Sequence, residues 1–208
     1  EQIQLGTQRM SSVDIPESSA SHEQKEEFTP TDKATQAYSA LLSGDQSLVN
    51  NELIQWWIPD FRSNDILEYE YTYMDLDGDG MVELLVQMVD NPPGYNGVFH
   101  YADGELFCWN SDGMEGSCRD YPLIDGTMVR QYDYNGNSSY TIFCYLDNGE
   151  KEDIHYLFAR EELVPEDSTE PCPYYAVDGE EVPKEVFEEQ LKVMITDKVL
   201  SRELWMRN

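Results

Sequence analysis

Asp75, Asp77, Asp79 and Glu83 lie within one short stretch, Tyr73-Met-Asp-Leu-Asp-Gly-Asp-Gly-Met-Val-Glu-Leu-Leu-Val86. Their types and spacing suit the binding of a hard divalent cation. Calcium takes six to eight oxygens at about 2.3–2.6 Å, and carboxylates at loop positions 1, 3 and 5 can wrap one side of it. Gly78 and Gly80 permit the sharp backbone turn that such wrapping needs. The carbonyl of Met81 at position 7 supplies a further oxygen, Glu83 at position 9 reaches back to close the shell, and water completes it. The expected Ca2+ ligands are therefore Asp75, Asp77, Asp79, Met81 and Glu83, carried on a hairpin over residues 67–89.

The loop departs from an EF-hand in two ways. Position 12 is Val86, where an EF-hand places a bidentate Glu, and the flanks alternate like strands. It resembles instead the Asp-x-Asp-Gly-Asp-Gly-x-x-Glu-Leu loop of integrin-type FG-GAP repeats. That resemblance implies calcium held in a strand-loop-strand hairpin, with Glu83 as the closing acid. It covers about a dozen residues, and the chain has one such loop, so the propeller fold of that family is not implied. More widely, Leu41–Asp45, Asp75–Val86 and Tyr175–Phe187 are similar to a group of uncharacterised exported proteins and lipoproteins of anaerobic Gram-positive bacteria. That likeness spans most of residues 31–208. It implies location rather than activity.

Four carboxylates between strands suggest an affinity in the extracellular range, on the order of 10⁻⁴–10⁻³ M. The expected role is structural, tying two strands and neutralising the acid cluster. A second segment, Asp133-Tyr-Asn135-Gly-Asn137-Ser138, has a similar order but lacks the second Gly and the closing acid. It reads as a hairpin turn.

Other chemistry is not announced. The sequence has no GxSxG, HExxH, GxxxxGK[ST] or GxGxxG motif. His22 falls in a Ser- and Gln-rich stretch, and His100 and His155 fall in expected strands, where packing or surface roles are the ordinary ones. Cys108, Cys118, Cys144 and Cys172 lack zinc spacing. Of their three pairings, Cys108–Cys118 with Cys144–Cys172 is the most local; four buried thiols is the alternative. A carbohydrate-active enzyme needs only two carboxylates about 5–10 Å apart. With 42 Asp and Glu, such a pair can be neither recognised nor dismissed from sequence.

The net charge of −29 disfavours nucleic acid and anionic membrane as partners. Between Arg62 and Arg119 there is no Lys or Arg at all, and the acid is densest at the loop. Residues 1–30 read as a flexible tether. The chain begins at Glu1 with no apolar signal segment, which suggests a processed product. No apolar run reaches the roughly 18 residues of a membrane span. A tether before one domain at 31–208 suits a secreted protein, or a lipoprotein with its anchor upstream.

The elements that must position the loop can be read from periodicity. Thr31-Asp32 starts a helix with Ala34, Tyr38, Leu41 and Leu42 on one face, and Gly44 closes it. A second helix is expected through Leu48–Ile54, ahead of Trp56 and Trp57. From residue 66 the period becomes two, with Tyr69, Tyr71 and Tyr73 on one side. Strands then follow, separated by turns at Asp103-Gly104, Asp125-Gly126, Asn135-Gly136, Asn148-Gly149 and Asp178-Gly179. Residues 161–172 read as a loop. After Pro183 a helix carries Val186, Phe187, Leu191, Met194 and Ile195, with Val199–Trp205 continuing it or forming another. The expected fold class is α+β: one antiparallel meander with an N-terminal helix and C-terminal helices on a single face.

The function expected from these features is an exported, calcium-stabilised interaction module of the cell envelope. Its ligand would be a protein, a peptide (including one added to a sheet edge) or a glycan.

Overall fold

The computed structural model describes residues 31–50, 58–63, 66–89, 95–113, 117–161 and 172–208. The expected tether, Trp56, Trp57 and most of the 161–172 loop lie outside the described residues.

Helix α1 (Asp32–Leu42) begins where the Thr31 hydroxyl accepts a bond from the Ala34 N–H. It ends at Ser43, followed by Gly44 at φ +91°. Its buried face is the expected one, Ala34, Tyr38, Leu41 and Leu42, with Ala37 added. The expected second helix does not begin at Leu48, and its Leu53 and Ile54 lie outside the described residues. Val49 is extended and bridges Leu106 in parallel, so the strand ladder takes that backbone instead.

Eleven strands follow among the described residues: β1 (Tyr69–Met74), β2 (Glu83–Met88), β3 (Tyr95–Ala102), β4 (Glu105–Gly113), β5 (Cys118–Pro122), β6 (Met128–Tyr134), β7 (Asn137–Tyr145), β8 (Lys151–Arg160), β9 (Tyr174–Val177), β10 (Glu180–Glu181) and β11 (Met206–Arg207). All their pairings are antiparallel. Each of the five Asx-Gly pairs turns a chain reversal, and Asp103, Asn135 and Asp178 themselves adopt positive φ ahead of a positive-φ glycine. That is the backbone twist that two-residue hairpins demand.

The single meander expected from sequence is instead two sheets. Sheet I has the order β11-β1-β2-β3-β4 and sheet II the order β10-β9-β8-β7-β6-β5. The molecule is β-rich, with helix α1 and a second helix, α2 (Lys184–Met194), as its two α-helices among the described residues. Alternation along each strand assigns three cores. Leu84, Val86 and Phe99 pack on α1. Leu85 and Val98, from the other side of sheet I, meet Met128, Phe143 and Tyr145 of sheet II. Val129, Ile142 and Leu157 turn away and pack with Phe187 of α2. The order is helix, sheet, sheet, helix, so the helices cover opposite outer faces rather than one.

The C-terminal segment does not extend the helix. After two short 3₁₀ turns (Thr196–Lys198 and Arg202–Leu204), β11 joins the edge of sheet I beside β1. On the way Val199 bridges Leu123, just past the end of β5, and Leu200 enters the inter-sheet core. One strap thus fastens both sheets.

Neither expected disulfide forms, and the four cysteines remain thiols. Cys108 packs toward α1 in sheet I, whereas Cys118 stands in β5 of sheet II. Cys144 pairs with Glu152 near the start of β8, while Cys172 precedes Tyr174, which pairs with Arg160 at its end. Eight residues of strand span about 26 Å at 3.3 Å each, and a disulfide needs Cα atoms within about 7 Å.

Candidate metal centre at the β1–β2 loop

The β1–β2 hairpin is held by six paired positions, from Tyr69↔Met88 to Met74↔Glu83. Its loop is organised by its own carboxylates. Asp75 accepts from the N–H groups of Gly78 (2.7 Å) and Gly80 (3.0 Å). Asp77 accepts from Asp79 N–H (3.1 Å) and Asp79 from Met81 N–H (2.6 Å). These bonds curl the backbone so that one oxygen from each of Asp75, Asp77 and Asp79 falls within 4.8 Å of the others. Gly78 and Gly80 both take positive φ, at +79° and +84°.

Glu83 closes the loop from beneath. It is fully buried, and its Oε2 accepts from Leu76 N–H at 2.8 Å. Its Oε1 lies 2.8 Å from His100 Nδ1. Asp77, Glu83 and His100 form a second group whose ligand atoms lie within 4.8 Å of one another. Asp77 belongs to both groups. Its Oδ2 is buried and has no hydrogen-bond partner. An unpaired carboxylate oxygen out of water is costly unless a cation or donor reaches it.

Electrostatics point the same way. Burial pushes the Glu83 carboxyl up from its ordinary range, against the bonds from His100 and Leu76, and the Asp77 charge adds to the rise. Burial also raises Asp77, with Asp79 and Asp75 adding repulsion. Burial opposes the charged form of His100, but its bond to Glu83 and the charges of Glu83, Asp77 and Asp79 outweigh that and raise it. These carboxylate and imidazole groups can hold a metal ion. Asp75, Asp77 and Asp79 offer hard oxygens only, which suits calcium or magnesium better than soft metals.

Three neighbours fix the frame. The buried Tyr38 hydroxyl of α1 donates to the Val82 carbonyl at 2.8 Å, between Met81 and Glu83. The Asp125-Gly126 turn of sheet II abuts the Asp75 backbone, where a Cβ on Gly126 would meet the carbonyl oxygen at 2.7 Å. His100 stacks on Trp109 (4.6 Å between centroids, 9° between planes), which stacks in turn on Tyr145 (5.3 Å, 27°). Gly149 lies under that indole, with no room for a side chain.

The structure therefore brings Asp75, Asp77, Asp79 and Glu83 into contiguous groups, and Met81 into the same loop. It also adds His100, which the sequence reading treated as a packing or surface residue. The four cysteines take no part. His155 lies elsewhere, 2.9 Å from Asp178 Oδ2. The Asp133–Ser138 segment is the hairpin turn expected of it, with Ser138 donating to Asp133 at 2.6 Å.

A separate open cleft of about 540 Å³ lies between the β6–β7 turn and α2, bordered by Asp133, Glu161, Glu188, Tyr140 and Tyr175. A carboxylate pair acting on a glycoside would need one group with a raised pKa. Glu161 is shifted the other way, held down by bonds from Lys184 and the Tyr175 hydroxyl. Among the described residues, no helix is long and apolar enough to cross a membrane. Compared with known protein families, curated proteins and solved structures, the chain matches none.

Proposed function

We propose that this chain is a calcium-stabilised binding module of the cell envelope, with the cation seated among Asp75, Asp77, Asp79 and Glu83 and the Met81 carbonyl. The observation that carries the reading is the buried, unpaired Oδ2 of Asp77, shared by two ligand groups. A divalent ion would satisfy that oxygen and offset both the burial that drives the carboxylates upward and the repulsion that adds to it. It would also clamp the β1–β2 hairpin against α1, through Tyr38, and against the sheet II turn, through Gly126. Millimolar-range affinity fits a site outside the cell, where calcium is plentiful. In the cleft beside α2, Glu161 is held toward its ionised form rather than poised as an acid, which supports binding there over glycoside hydrolysis.

The test is thermal unfolding with calcium or chelator. At ten times the dissociation constant, calcium should add about 1.4 kcal/mol. Wild-type protein should melt higher in 10 mM CaCl₂ than in EGTA, and Asp77→Ala should lose that difference. Equal melting of the wild type in both solutions would sink the calcium reading.

A further inference from the structure

Sheet II is longer than its cover. Sheet I packs on the end of it that carries Met128, Phe143 and Tyr145. Beyond that end, the same face of β6 to β9 continues outward. Two register rows cross it. One runs Tyr132–Ser139–Phe158–Ala176 and the next Tyr134–Asn137–Arg160–Tyr174. Their neighbours along the strands, Leu157, Ala159 and Tyr175, pack in the core with α2, so these rows face the opposite way.

The rows are aromatic and open at their β6 end, half-buried across β7 and β8, and closed over Ala176 in β9. Tyr132 is 42% exposed and Tyr134 56%, with Tyr156 alongside at 44%. Tyr132 and Tyr134 stack on each other at 6.2 Å, and Phe158 meets Tyr174 at 6.2 Å. The Arg160 guanidinium lies over Phe158 at 5.4 Å and donates to Asn137 Oδ1 at 3.0 Å. Rings so restrained lose little freedom on binding. Contiguous aromatic surface of this kind on a soluble chain marks an interaction site.

We propose that this overhanging face is a platform for a neutral glycan chain, a ligand class that rests on the binding-module reading above. Three observations select that occupant. First, short polar groups, Ser139 and Asn137, stand between the rings of β6 and those of β8 and β9. A pyranose presents an apolar C–H face, which lies on an aromatic ring, and a rim of hydroxyls, which bond to such groups. An apolar helix would need aliphatic packing that these rows lack. Second, charge selects against polyanions. The chain carries −29, which repels nucleic acid, polyuronates and a second copy of itself. Third, from β6 to β9 the two rows contain no carboxylate, in a chain with 42. Four strands at about 4.8 Å spacing make the platform about 14 Å wide, enough for an oligosaccharide rather than a single sugar.

The experiment is affinity gel electrophoresis of the full chain through gels containing soluble xylan, hydroxyethylcellulose or galactomannan, with and without calcium. At least one polysaccharide should retard the wild type. The double variant Tyr132→Ala/Tyr134→Ala should lose at least tenfold in affinity while keeping the wild-type melting temperature. Arg160→Lys, which keeps the charge but not the planar contact on Phe158, should weaken retardation less. No retardation in any gel overturns the platform, as does retardation that survives the double variant. Binding of a proline-rich peptide at these tyrosines without any polysaccharide binding also overturns it. Retardation in a protein whose melt ignores calcium supports the platform and removes the calcium reading alone. Release of reducing ends from a retarding polysaccharide supports the platform and removes the non-catalytic reading alone.

Discussion

Gly126 of sheet II sits against the backbone of Asp75, so closely that a Cβ would come within 2.7 Å of the Asp75 carbonyl oxygen. The first residue of the carboxylate loop is thus braced by a turn from the other sheet. Gly126 also has φ +85°. Gly104, at φ +92°, has nothing within 4 Å of a virtual Cβ. The two glycines separate strain from contact. Ala at either position incurs the left-handed penalty of roughly 1–2 kcal/mol. Only Gly126→Ala also displaces Asp75. Calcium titration should therefore show weaker binding for Gly126→Ala and unchanged binding for Gly104→Ala, with both proteins losing stability.

In the proposed calcium centre, His100 is a positioning residue. Its Nδ1 holds Glu83 Oε1 at 2.8 Å, and its ring is held in turn by Trp109. Partners of this kind set carboxylate orientation, and their loss typically lowers metal affinity by about 10–100-fold. His100→Ala should weaken calcium binding by about tenfold in isothermal titration. Because Trp109 stacks on the same ring, calcium should change tryptophan emission in the wild type and change it less in His100→Ala. A variant that binds calcium with wild-type affinity would remove His100 from the site.

These residues show how far the sequence could be read. The carboxylate cluster was legible because it is local: spacing alone puts Asp75, Asp77 and Asp79 around one point. The turns were legible for the same reason, since Asx-Gly chemistry acts over two residues. His100 was not legible. Leu84↔Phe99 pairing brings Glu83 next to His100, and that register is set across the β2–β3 connection and not by any local motif. The division into two sheets was hidden in the same way. Hydrophobic alternation tells a strand that it has two faces, but Leu84 and Leu85 are both fully buried, so β2 shows no solvent side. Only the partners of each face, α1 for Leu84 and sheet II for Leu85, distinguish a covered sheet from an open meander.

Between the sheets, Asp120 and Arg130 form a two-pronged pair, with bonds of 2.8 and 2.7 Å. The Asp120 side chain is 1% exposed and that of Arg130 41%. Lys151 stands 3.7 Å from the same carboxylate and donates to Asn110 of sheet I at 3.2 Å. Removing the two partners should have unequal effects. Arg130→Met strands a buried carboxylate with only the longer Lys151 contact, which should cost about 2–4 kcal/mol. Asp120→Asn leaves a guanidinium that water can reach, and should cost about 1–2 kcal/mol. Urea unfolding of the two variants at pH 7 measures the difference; equal losses would mean that Lys151 alone satisfies Asp120.

The β8–β9 side of sheet II carries a pair whose contribution depends on pH. Asp178 accepts from the Tyr156 N–H at 2.8 Å and lies 2.9 Å from His155 Nδ1. The backbone bond and then the His155 bond hold its carboxyl below the ordinary carboxylate range. A depressed folded value means that the unfolded chain takes up the proton first as the solution is acidified. The stabilisation is therefore complete above the unfolded value of about 4 and fades as pH falls through the lower folded value. Asp178→Asn should consequently melt below the wild type at pH 7, and the gap should close as the pH falls below about 4. The turn itself, with Asp178 at φ 51° and Gly179 at φ 83°, accepts Asn without backbone strain, so the gap reports the carboxylate. Because both side chains are largely solvated, the effect is small and should shrink further in 1 M NaCl. A gap that stays constant from pH 7 to pH 2 would assign the loss to the turn rather than to the charge.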